Sequence, residues 1–189
     1  MEENEMPIER VTSLRKRRSD IANARRAADE RAVYGPAIVP HFRHATGYEV
    51  GLVDFDPLLT LPVEFVGATL EQASDWTLLH VSEAEALNTM AAVGHCMPIR
   101  AGLIGVEGNA YLGLHRASSV ALDGLVRGAS LIEDAVVFFP EGSDVAVVVD
   151  CYRGTGGGSL YSFYVKGMNL VACLKRRKRG GSSVEYVGE

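Results

Sequence analysis

Residues 36–174 consist of short apolar runs that are rich in Val, Phe, Tyr and Leu. Turn-forming residues, which are Gly, Pro, Asp or Asn, interrupt these runs about every 8 to 12 residues. This spacing constrains the fold more than any other feature, because such short runs suit β-strands and few of them are long enough for helices. In the clearest run, residues 145–152, Val145, Val147 and Val149 share one face by the two-residue period of a strand. The sequence therefore predicts a mainly β domain.

The turn residues divide this region into candidate strands. We predict strands at residues 37–42, 48–53, 63–69, 76–81, 99–106, 110–115, 135–139, 145–152, 160–165 and 169–174. One helix interrupts them, since Ser82 and Glu85 match a capping box and Gly94 closes the helical pattern. Many strands with a single inserted helix favour an antiparallel jelly-roll-like sandwich, because alternating β-α units need a helix after nearly every strand.

The first 35 residues have a different character. Residues 12–33 are good helix formers without Gly or Pro, and Gly35-Pro36 is expected to end the helix. Apolar side chains are few, so this helical arm is predicted to sit loosely against the body. The chain of 189 residues thus divides into a charged, partly helical arm (1–35), one β-sandwich domain (36–174) and a basic, flexible tail (175–189).

The formal net charge of −5 conceals a segregation of charge along the chain. Residues 10–31 carry eight basic and three acidic residues, and residues 175–179 are all basic. Residues 32–174 carry fifteen acidic and six basic residues, so an acidic body has two basic ends. Clustered Lys and Arg create a local positive potential that attracts a polyanion whatever the overall charge.

These two clusters predict sequence-tolerant binding of single-stranded nucleic acid, and an anionic membrane surface would attract them in the same way. A solvated tail or a nuclear-localisation sequence is the simpler interpretation of either cluster alone. The candidate nucleic-acid-binding residues are Arg15, Lys16, Arg17, Arg18, Arg25, Arg26, Lys175, Arg176, Arg177, Lys178 and Arg179.

Motifs for catalysis are weak. Asp54 and Asp56 follow an apolar run and resemble the first motif of haloacid-dehalogenase phosphatases, but Pro57 stands where that family has Gly-Thr, which favours a turn capped by two aspartates. The glycine-rich residues 154–159 lack the lysine and the helix of a P-loop and predict a hairpin tip. The five histidines match no zinc-binding spacing and are predicted to be structural. We expect no enzymatic activity, metal, cofactor or small-molecule substrate.

The three cysteines, Cys96, Cys151 and Cys173, are odd in number and contain no Cys-x-x-Cys pair, so we predict reduced core thiols.

The longest apolar stretches, such as residues 145–149, are far shorter than the roughly 20 residues of a membrane-spanning helix. The first ten residues carry four glutamates and no apolar h-region, so no secretory signal is expected. The chain is accordingly expected in a cytoplasm.

From about residue 81 to residue 177, the predicted order is a helix, two strands, an irregular connection, two further strands, a glycine-rich turn, a strand and a basic terminus. The sequence pieces are AYLGLHR at 110–116, VVFFP at 136–140, SLYSFYV at 159–165 and the basic residues 175–179. Over about half of the chain, this order resembles the 30K superfamily of plant-virus movement proteins.

The resemblance implies a non-enzymatic protein with a β-rich domain of jelly-roll descent, which binds viral RNA or DNA and supports cell-to-cell movement of the genome through plasmodesmata. It implies viral RNA as a partner, self-association, and a location in the host cytoplasm, at plasmodesmata or at the cell periphery. A small jelly-roll coat protein is the alternative, because a basic N-terminal arm before a sandwich also suits genome packaging. A magnesium-dependent phosphatase using Asp54 and Asp56 is the third interpretation.

Overall fold

The computed structural model describes residues 8–59, 70–107, 111–155 and 157–180, with side chains from residue 16 to residue 177 within those ranges. Short 3-10 helices lie at Val39–Phe42 and Leu52–Asp54. The helices and strands, in chain order, are α1 (Ile8–Ile38), α2 (Arg43–Thr46), β1 (Phe55–Asp56), α3 (Leu70–Ala73), β2 (Trp76–Val81), α4 (Glu83–Cys96), β3 (Gly102–Val106), β4 (Leu114–Ala117), α5 (Leu122–Ile132), β5 (Val136–Pro140), β6 (Ala146–Arg153), β7 (Ser159–Lys166) and α6 (Met168–Gly180).

The seven described strands form one antiparallel sheet in the order β1-β4-β3-β5-β6-β7-β2. Its longest pairing joins β6 to β7, from Ala146 opposite Lys166 to Arg153 opposite Ser159. Side chains alternate between the two faces of the sheet, so Val147 and Val149 point into the main core while Val148 points to the opposite face. Both faces are therefore apolar over much of their area.

Four helices cover one face of the sheet side by side. α5 packs between α2 and α4, and α6 packs on the far side of α4. In α5, Leu122, Leu125, Val126 and Ala129 recur at helical spacing and are all buried, so this stripe holds the helix against the sheet. The layer and the sheet enclose the main hydrophobic core.

Several predicted elements are confirmed. The strand predicted at 76–81 is β2, and the strands predicted at 99–106, 110–115, 135–139, 145–152 and 160–165 correspond to β3 through β7 with shifted ends. The backbone N–H of Glu85 donates to Ser82 Oγ at 3.4 Å, which confirms Ser82 as the N-cap of α4. Residues 154–159 connect the paired strands β6 and β7, which confirms the predicted hairpin tip.

Three predicted strands are wrong. Residues 37–42 complete α1 and form a 3-10 helix, residues 48–53 form a loop that leads into another 3-10 helix, and residues 169–174 lie in α6. The buried residues of α6, Leu170, Val171 and Leu174, follow a helical period, which a short apolar run does not distinguish from a strand. The predicted strand at 63–69 lies outside the described residues.

The fold class also needs correction. The antiparallel sheet and the helical N-terminal region are confirmed, but the described residues show a mixed α/β fold rather than a mainly β fold. Helices lie on the face of the sheet where a sandwich would place a second sheet. A second helix among the strands, α5, was missed because its glycines, Gly124 and Gly128, resemble a loop in the sequence.

Two local expectations are wrong as well. α1 continues through Pro36 to Ile38 instead of ending at Gly35-Pro36. Cys96 and Cys173 form a disulfide with a Cα–Cα distance of 5.8 Å, which ties α4 to α6, whereas Cys151 is a free buried thiol as expected. No helix of the described residues combines the length and the apolar character needed to cross a bilayer.

Candidate nucleic-acid interface

Arg31 fixes the C-terminal part of α1, residues 31–38, to the rest of the protein. We call this part of the helix the root of α1 and the sheet with its helical layer the body. The Arg31 guanidinium donates hydrogen bonds to the carbonyl oxygens of Leu52, at 2.7 Å, and of Phe55 and Leu112. Close to Arg31, the Tyr34 ring packs against the Tyr111 ring with 6.3 Å between the centroids. The helix predicted to sit loosely is therefore anchored at its C-terminal end.

The preceding part of α1 projects away from the body. Every residue from 16 to 26 is exposed, including the predicted binding residues Lys16, Arg17, Arg18, Arg25 and Arg26. None of these five side chains takes part in an ion pair within the described part of the chain. They occupy about 15 Å of helix and leave their charge available to a ligand.

The second basic cluster lies at the end of α6. Lys175, Arg176 and Arg177 are exposed, while Leu174 one position earlier is buried in the core. The basic run thus continues a packed helix instead of starting a separate tail. Among the remaining predicted residues, Arg15 lies in α1 and Lys178 and Arg179 lie in α6, with side chains outside the description.

The structure does not bring the two clusters together. The root of α1 and α2 are at one end of the helical layer, α6 is at the other, and α5 and α4 lie between them. The axes of packed helices are about 8–10 Å apart. The three steps from α2 to α5, from α5 to α4 and from α4 to α6 therefore place α2 and α6 roughly 25–30 Å apart. A polymer that contacts both clusters has to cross the helical layer.

The opposite face of the sheet is acidic at one end. Glu107 follows β3, Asp134 precedes β5 and Asp150 lies on β6. Burial raises the pKa of Asp150, and the nearby carboxylate of Asp134 raises it further. The pKa of Glu107 is raised by burial first and then by Asp134 and Asp150. The three carboxylates make this end of the face locally negative.

Asp150 gives a testable dependence of stability on pH. Because its pKa is raised in the folded state, the ionised carboxylate opposes folding, and stability is lost as the pH rises through that raised pKa. Asp150→Asn is expected to raise the melting temperature at neutral pH and to match the parent near about pH 4. Asp144→Asn, at an exposed position, is the control. An identical difference at both pH values would contradict the prediction.

Asp54 and Asp56 both cap local turns. The Asp54 carboxylate accepts a hydrogen bond from the backbone N–H of Gly51 at 2.7 Å, and the Asp56 carboxylate accepts one from Leu58 at 2.8 Å. These contacts support the turn interpretation over the phosphatase interpretation. Within the described ranges, no group of three or more His, Cys, Asp or Glu side chains is arranged to hold a metal ion.

His115 has a structural role in the same region. Its Nδ1 lies 3.0 Å from the Asp54 carbonyl oxygen and donates to it, so its Nε2 accepts from the Tyr48 hydroxyl at 2.9 Å. The ring is buried against Phe55, with 5.6 Å between ring centroids. This arrangement agrees with the prediction of structural histidines.

A groove of about 480 Å³ separates α4 from the start of α5. The charged side chains that line it include Arg100 and Asp123. The Arg100 guanidinium donates to the carbonyl oxygens of Gly94, at 3.0 Å, and Met97, so it caps the end of α4. The Arg100 guanidinium therefore stabilises the fold. The sequence had predicted no specific role for Arg100 or for Arg31.

Comparisons of the chain with protein-family models, with curated proteins and with solved structures found no match. The resemblance to the 30K superfamily stays a prediction.

Proposed function

We propose that the protein is a non-enzymatic nucleic-acid-binding protein that holds its polymer with the basic part of α1 and the basic end of α6. One observation carries this proposal: five exposed basic side chains without ion-pair partners in the described structure occupy a projecting helix that Arg31 anchors to the body.

The contacts in this proposal are made to phosphates and are sequence-tolerant. Lys and Arg side chains that neutralise phosphates release counterions, so affinity falls steeply with salt. The basic side chains of both clusters that the structure describes are exposed, and the contacts that they can make to phosphates are electrostatic. We therefore assign α1 and α6 to retention of the polymer and not to recognition of a sequence.

The biological role that we propose is transport of a viral genome from cell to cell through plasmodesmata, on the strength of the 30K resemblance. In that role the polymer is the viral genome, with single-stranded RNA as the form expected from the sequence, and the protein acts in the host cytoplasm or at the cell periphery. Self-association, contact with an anionic membrane surface and descent of the sheet from a jelly roll belong to the same proposal.

A viral coat protein is the second candidate. The observation that favours it is the projecting helix α1 before the sheet domain, since a basic N-terminal arm suits genome packaging. Electron microscopy of the expressed protein distinguishes the two roles. Closed particles that contain nucleic acid would support a coat protein, and their absence together with nucleic-acid binding would support movement.

The test of binding neutralises each cluster separately by Gln substitution. One variant changes Lys16, Arg17, Arg18, Arg25 and Arg26, and the other changes Lys175, Arg176 and Arg177. Fluorescence anisotropy with single-stranded RNA and duplex DNA across a salt series is expected to show a log-log slope that falls by roughly 0.7 to 0.9 for each contact removed.

The matched control for the α6 variant replaces Arg116, Arg153 and Lys166, which removes the same charge from strands of the sheet instead of from the helical layer. Its binding slope is expected to equal that of the parent. If the control weakens binding as much as the α6 variant does, the effect comes from the net charge of the protein, and α6 is not part of the interface. Parent-like binding by the α1 variant would reject the proposed interface.

A further inference from the structure

The basic side chains of α1 surround the helix instead of forming one stripe. Consecutive residues of an α-helix point about 100° apart, so Lys16, Arg17 and Arg18 leave the helix on three different sides. Arg26, ten residues after Lys16, occupies the remaining side between Lys16 and Arg18. Arg25 lies beside Arg18, and Asp20 lies between Lys16 and Arg17. All six side chains are exposed, so basic side chains leave the projecting part of α1 on opposite sides, with one carboxylate among them.

The body leaves each of these sides open to a ligand. Residues 16–26 are all exposed, and contacts with the body begin nearer the root, at Arg31 and Tyr34. An α-helix with its side chains is about 10–12 Å across, and the major groove of B-form DNA is about 12 Å wide. The projecting part of α1 therefore matches the groove in width.

The arrangement of charge selects between polymers. A single strand that lies along one side of α1 contacts the charges of that side and leaves the opposite ones in solvent. A major groove has a phosphate strand along each wall, so a helix inside it uses charges on opposite sides at once. The major groove of regular A-form RNA is too narrow and deep for side chains to read, and it does not admit a helix.

We propose that α1 binds in the major groove of a B-form DNA duplex. This inference rests on the proposed function and names its substrate class, which differs from the single strand expected from sequence. Lys16 and Arg26 contact one phosphate strand, and Arg17, Arg18 and Arg25 contact the other. The contacts are to phosphates, so binding is tolerant of base sequence.

Two double variants of the full chain test the inference by dividing the charge between the two sides of α1. Lys16→Gln with Arg26→Gln removes the charges of one side, and Arg17→Gln with Arg18→Gln removes two of the three charges of the other side, where Arg25 remains. The matched control is Arg116→Gln with Arg153→Gln, which removes two charges from exposed positions on the strands of the sheet. Circular dichroism checks that helicity is unchanged, as expected for exposed positions with a good helix former.

Each protein is titrated with a labelled mixed-sequence DNA duplex of about 30 base pairs, close to three helical turns, with the matching RNA duplex and with the single strands. The parent is expected to bind duplex DNA at least about tenfold more tightly than the other polymers at equal salt. Each double variant is expected to reduce the salt slope on duplex DNA by about 1.8, for two lost contacts. The control keeps the parent slope.

Tighter binding of the parent to single strands or to the RNA duplex overturns the inference and leaves the proposed function standing. The same holds if one double variant keeps the parent slope while the other loses binding, because the polymer then lies on one side of α1. If the parent binds none of these polymers, both the inference and the proposed function are overturned.

Discussion

Gly124→Ala is expected to destabilise the protein by about 3 kcal/mol, because α5 and α2 touch through their backbones at this glycine. A Cβ atom at position 124 would lie 2.7 Å from the Ala45 Cα and closer still to the carbonyl oxygen of His44. These are backbone atoms, so no side chain can rotate away, and α2 has to separate from α5. The separation also loosens the neighbouring root of α1.

Gly128, one turn later in the same helix, is the matched control. A Cβ atom there would have the carbonyl oxygen of His41 as its nearest neighbour, at 3.9 Å, which is an ordinary contact. Gly128→Ala is therefore expected to be neutral or to stabilise by about 0.5–1 kcal/mol through helix propensity. Urea denaturation of the two variants measures the difference, and equal midpoints would contradict the close approach of α2 and α5.

Arg31→Met is expected to cost about 3 kcal/mol, because three backbone carbonyl groups lose their donor at once. The guanidinium joins residues 52 and 55, which belong to one segment of the body, to residue 112, which belongs to another. Arg31→Lys is expected to recover only part of the loss, since one ammonium group lacks the planar fork that reaches several acceptors. The α1 root is expected to detach locally before the body unfolds.

Thermal denaturation together with amide hydrogen exchange measures both consequences of Arg31→Met. The melting temperature falls, and exchange accelerates around residues 31–42 of α1 and the following 3-10 helix. The control is Arg25→Met on the projecting part of the same helix, where the side chain is exposed and the expected change is within about 0.5 kcal/mol. Similar behaviour of the two variants would reject Arg31 as the anchor.

The strands between residues 76 and 166 were predictable because each is a short run rich in apolar residues between turn residues. In β6, Val147 and Val149 face the core while Asp150 faces the other side, and this pattern needs no information from distant residues. The segment in α6 has three buried apolar residues within five positions, which fits a strand and a helix equally well. Packing of this segment against α4 stabilises the helix over the strand.

The charges of the interface were also predictable, since basic residues are counted directly in the sequence. The special role of Arg31 was not, because it resembles the seven other basic residues of the segment 10–31. One of its hydrogen-bond partners, the Leu112 carbonyl, is 81 positions away. The disulfide between Cys96 and Cys173 spans 77 positions and was missed for the same reason.

The sequence alone determined where charge accumulates, where most strands of the sheet lie and where the helix capped by Ser82 begins, because these features depend on neighbouring residues. The tertiary structure decided that helices cover the sheet, that Arg31 anchors α1 and that the two basic clusters stand at opposite ends of one layer. Each of these depends on contacts between residues far apart in the chain. Burial of apolar surface selects such contacts in the folded protein, and local periodicity does not encode them.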